Sequence, residues 1–126
     1  MKASQAANPT IDDALLKGYA DKIRATGKID PSLYEKYNVK RGLRNADGTG
    51  VLVGLTCIGS VHGYMISESE KVSVPGQLYY RGINVNDLVK GFQTEKRFGF
   101  EESAYLLLFG ELPNADELKT WNDLLD

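Results

Sequence analysis

The run Phe100-Glu101-Glu102-Ser103-Ala104-Tyr105-Leu106-Leu107-Leu108-Phe109-Gly110 limits what this chain can fold into more than any other segment. Its residues favour a helix, and two carboxylates in the first turn face the free N–H groups at the positive end of the helix dipole. Gly110 is a natural stop. From Ala104 to Phe109 the helix is apolar all round, and a helix without a polar face needs protein on every side. A chain of 126 residues buries a modest share of its surface and has few such interior positions. The expectation is that further protein covers this helix, as part of a longer chain or as a second copy. The final helix, reaching Asp126 without a Gly, Asn or Pro stop, is read as incomplete in the same way, with simple fraying as the alternative.

The other elements follow from periodicity and punctuation. Thr10, with Asp13 in the first turn, opens a helix whose Ile11, Leu15, Tyr19 and Ile23 share a face and which Gly27 ends. Asp30-Pro31 starts a short second helix ending near Asn38. Residues 41–50, from Arg41 to Gly50, read as a turn-rich loop. Val51–Thr56 and Val61–Ile66 read as short bent strands, Pro75-Gly76 as a turn, and Leu78–Arg81 as a third strand closed by Gly82. Asn84 opens a helix with Val85, Leu88, Val89 and Phe92 on one side. Pro113-Asn114 opens the last helix, where Glu117 completes a capping box and Leu118, Trp121 and Leu125 form a stripe. The fold class expected is mainly α with a small antiparallel β element.

Charge excludes some partners. Fifteen Lys+Arg stand against seventeen Asp+Glu, so the chain lacks the basic excess expected for nucleic-acid or anionic-membrane binding. Residues 1–10 hold one Lys and no apolar run, unlike a signal peptide or membrane span. One cysteine, Cys57, excludes an internal disulfide. The expected compartment is cytoplasmic.

Candidate chemistry is sparse. The spacing Gly48-x-Gly50-x-x-x-Gly54 fits neither dinucleotide nor P-loop fingerprints and reads as a turn before a strand. His62, the single histidine, has no triad or zinc-ligand spacing around it and reads as a structural residue in or beside a strand. Cys57, in an apolar run, reads as a small buried hydrophobe. Glu101 and Glu102 point about 100° apart on a helix, so they are dipole partners rather than a facing acid/base pair. Lys40, Arg41 and Arg44 cluster beside a glycine-rich loop, where guanidinium groups can grip a phosphate or carboxylate; a solvated basic turn is the alternative. Arg81-Gly82 reads as a lock on a strand-to-helix turn rather than a ligand contact. No catalytic and no metal-ligating residue is assigned.

Two blocks, in order, carry a resemblance. Residues 76–88, Gly-Gln-Leu-Tyr-Tyr-Arg-Gly-Ile-Asn-Val-Asn-Asp-Leu, resemble the G-x-L-x-Y-R-G-[IY]-x-[IV]-x-D-L segment of the citrate synthase and 2-methylcitrate synthase family. Residues 100–113 resemble its F-E-E-x-A-Y-L-L-L-x-G-E-L-P segment. Gly42-Leu43-Arg44 and the strands from Val51 fit the stretch before them. The likeness covers residues 39–126, as the N-terminal part of the family's large helical domain, with residues 1–38 as N-terminal helices. It implies a dimeric enzyme that condenses acetyl-CoA with oxaloacetate and water to give citrate and CoA. In that family an Asp removes the methyl proton, one His stabilises the resulting enol and another polarises the ketone. Those residues lie in later parts of the family chain, and His62 matches neither histidine motif. The implied role is therefore a non-catalytic scaffold and subunit-contact segment, with the rest of its chain and a second subunit as partners. The alternatives are a 2-methylcitrate synthase piece or a free-standing dimerisation module. Arg44 is the one implied ligand contact, to the CoA phosphates, although the loop Asn45–Gly50 is longer than in the family members it is compared with.

Overall fold

The computed structural model describes residues 12–40 and 54–126. Along them run α1 (Asp13–Thr26), α2 (Ser32–Lys36), β1 (Gly59–Ser67), β2 (Glu70–Tyr80), β3 (Ile83–Asn84), α3 (Val85–Thr94), α4 (Phe100–Phe109) and α5 (Ala115–Leu125). The expected class, mainly α with a small antiparallel sheet, is the architecture found. None of these helices is long and apolar enough to cross a membrane.

Helix α4 organises the core because its apolar residues point in more than one direction. Leu106 packs with Leu88 and Phe92 of α3, and Tyr80 and Ile83 lean on that cluster. Tyr105 and Phe109 pack with Trp121 of α5, and Tyr19 of α1 joins them. The rings of Tyr19 and Phe109 stack at 4.9 Å, and Trp121 meets Phe109 edge-on at 5.5 Å. Burying each such side chain contributes about 1.5–3 kcal/mol, so α4 supplies contacts that the weak helical tendency of short segments cannot. Coverage is nonetheless partial. Phe100 and Leu108 on α4 itself are exposed, as are neighbouring Phe98 and Leu112.

Helix ends follow their side chains. Asp12, not Thr10, caps α1, its carboxylate accepting the Ala14 N–H at 3.0 Å; Thr10 and Ile11 lie outside the described residues. Asp30 accepts the Ser32 N–H at 2.9 Å, which holds its carboxyl below the usual carboxylate range. Asn84 caps α3. At α5 the expected capping box is complete: Asn114 Oδ1 accepts from Asp116 and Glu117, and Glu117 Oε2 accepts the Asn114 N–H at 3.0 Å. Trp121 is buried as expected, whereas Leu125 is exposed, and so is Val89 on α3.

The sheet departs from expectation in three ways. Residues 54–56 are not in a strand, and the rest of the expected Val51–Thr56 strand lies outside the described residues. Pro75-Gly76 is not a turn: β2 runs through it, and the pairing jumps from His62↔Gln77 to Tyr64↔Ser73. The extra residues on β2 form a bulge, a place where Pro removes no needed ladder N–H. The hairpin turn falls instead at Glu68 and Ser69, with φ of 50° and 70°. Two successive positive φ values match the right-handed strand twist, a geometry usually signalled by Asn-Gly. Arg81 and Gly82, with φ of 47° and 84°, repeat that geometry between β2 and β3.

Candidate functional site

Three charged junctions stand out among the described residues, the first two built from segments far apart in sequence and the third from neighbours within five positions. The first is the junction of α1, α4 and the β2–β3 turn. Arg81 Nε and Nη2 donate to the Leu107 carbonyl at 3.0 and 2.9 Å, and Nη1 donates to the Thr26 carbonyl at 3.2 Å. One guanidinium thus serves the unpaired carbonyls and negative ends of two helices. Nη1 also points at Cys57 Sγ at 3.3 Å. Cys57 corrects an expectation, because it is exposed rather than buried. Its apolar sequence neighbours hid a thiol that is drawn outward to Arg81 and to the Thr26 carbonyl. Arg81 locks a turn, as its place before Gly82 suggests, but the turn joins β2 to the short β3 rather than a strand directly to a helix.

The second place joins α1 to α5. Lys22 Nζ pairs with Glu111 at 2.6 Å and Glu117 at 3.7 Å, and donates to the Tyr105 hydroxyl at 3.0 Å. A cleft of about 420 Å³ opens beside it, lined by Ala14, Gly18, Tyr19, Asp116 and Thr120 among others. The hydrogen bond to Glu111, followed by that to Tyr105, raises the Lys22 pKa above its ordinary value. A lysine acting as base or nucleophile needs the opposite shift, so this ammonium is a clamp. Burial, first of all, also raises the pKa of Tyr19. Both groups gain stability in their protonated forms, which is fully present below their unfolded pKa values near 10 and is lost as pH rises beyond them. Lys22→Met is therefore expected to lower stability at neutral pH and to flatten part of its decline between about pH 10 and 12. Urea melts of both proteins across that range check this; equal alkaline slopes would contradict it.

The third place is Arg97, whose Nε donates to Glu102 Oε1 at 2.5 Å and which also pairs with Glu95. Glu102 is buried, so the pair stands partly out of water. Removing Arg97 leaves the buried Glu102 as an uncompensated charge, whereas removing Glu102 leaves Arg97 paired with Glu95. Glu101 lies elsewhere on the turn, its backbone carbonyl accepting the Trp121 indole N–H at 3.1 Å. The two carboxylates do not face each other, as their adjacency implied. No spacing rule pairs residue 22 with 111, and the Lys22 junction was not legible before the fold was known.

His62 stands exposed on β1 with its ring edge-on to Tyr79 at 5.5 Å. Lys40 is exposed. Arg41 and Arg44, and the glycine spacing from Gly48 to Gly50, lie outside the described residues. No group of three His, Cys, Asp or Glu able to hold a metal ion occurs among the described residues.

A family model described as citrate synthase, C-terminal domain, matches residues 47–126. The chain belongs to the citrate synthase family. Among curated proteins it resembles the 2-methylcitrate synthase 1 of Corynebacterium glutamicum, with 43% identity over 56 residues. That match covers 44% of this chain and 13% of the relative. No solved structure matches. Residues 76–88 and 100–113, which carry the likeness to this citrate synthase family in sequence, fold into β2, β3, α3 and α4, the part joined by Arg81 and Leu106.

Proposed function

We propose that this chain is the N-terminal part of a citrate synthase-type enzyme and serves in it as scaffold and subunit contact. The observation that carries the reading is the partial cover of α4. Tyr105, Leu106 and Phe109 are fully buried, yet Phe98, Phe100, Leu108 and Leu112 beside them face solvent. Large apolar side chains left in solvent on and next to a helix otherwise sealed into the core mark a surface made for more protein. The remainder of the parent chain and a second subunit are the proposed cover. The small coverage of the curated relative fits a piece of a longer enzyme.

In the parent reaction a carboxylate removes the α-proton of the acyl-CoA, and the resulting enol carbon attacks the oxaloacetate ketone. Water then hydrolyses the thioester to release CoA and citrate. The groups that move those protons belong to the remainder of the parent, and Arg44 is the proposed contact to the CoA phosphates. A cytoplasmic location accompanies this reading. The relative's name favours a second substrate choice, propionyl-CoA in place of acetyl-CoA with 2-methylcitrate as product.

The test is CoA thiol release from acetyl-CoA and from propionyl-CoA, each with oxaloacetate. The chain alone should give background release, and the chain assembled with its parent's remainder should turn over. The faster acyl-CoA names the enzyme. Turnover by the chain alone, or none by the assembled pair, would overturn the proposal.

A further inference from the structure

We draw no further inference here: the strongest candidate, the cleft between α1 and α5 beside Lys22, carries none, because its Glu117 is committed to Lys22 and to the α5 cap and nothing in the structure shows what covers its apolar side at Ala14, Leu15 and Tyr19.

Discussion

Replacing Gly99 by Ala is expected to destabilise the fold by about 2–5 kcal/mol, a large part of what a domain of this size possesses. Two costs add at this position. Gly99 has φ of +79° and forms the N-terminal cap of α4. An L-residue in that left-handed region costs about 1–2 kcal/mol. A Cβ there would also lie 2.1 Å from Cδ2 of Phe92 and 2.6 Å from two further ring atoms. Phe92 is buried against Leu88 and Leu106, so it cannot withdraw without opening the core, and overpacking costs about 1–3 kcal/mol more. Two other glycines separate the terms. Gly82 has φ of +84° with open space around its would-be Cβ, and Gly110 has φ of +83° with its nearest neighbour at 3.4 Å. Gly82→Ala and Gly110→Ala should each show only the backbone cost, about 1–2 kcal/mol. Urea midpoints of the three variants check the order. If Gly99→Ala costs no more than Gly82→Ala, the steric argument fails.

The sequence was most legible where one local interaction decides the outcome. The capping box from Asn114 to Glu117, the stop at Gly110 and the apolar side of α3 at Leu88 and Phe92 need only neighbours within a turn or two. Strand pairing was less legible because it depends on partners, not on punctuation. Pro75-Gly76 carries strong turn signals yet lies inside β2, where a bulge absorbs both, while the true turn uses Glu68 and Ser69, residues with no such signal. The exposure of Cys57 depended on a guanidinium 24 positions away along the chain. The Lys22 clamp joins α1 to the residues after α4, a relation that only packing creates. Family membership was legible because two long blocks recur in order; Arg44, the one ligand contact the resemblance implied, lies outside the described residues.

Arg81→Met is expected to cost about 2–4 kcal/mol, because hydrogen bonds from a charged group contribute about 1.5–3 kcal/mol each and these do not sum. Its guanidinium donates to carbonyls at the ends of α1 and α4. Met keeps the apolar stem and deletes every donor, so those carbonyls lose their partner together. Arg81→Lys keeps the charge near two negative helix ends but supplies a single ammonium in place of a planar fork, and about half of the loss should return. A third substitution isolates the backbone. Arg81 has φ of 47°, so Arg81→Gly relieves strain that Arg81→Ala retains. Glycine should therefore be the milder of the two by about 1–2 kcal/mol, although both lack the guanidinium. Denaturant midpoints give all four values in one series. Amide exchange adds a location: in the Met variant, protection should fall in the last turns of α1 and α4 before it falls at Leu88 and Phe92. A uniform loss of protection would mean that Arg81 stabilises the fold as a whole rather than joining two helix ends to a turn.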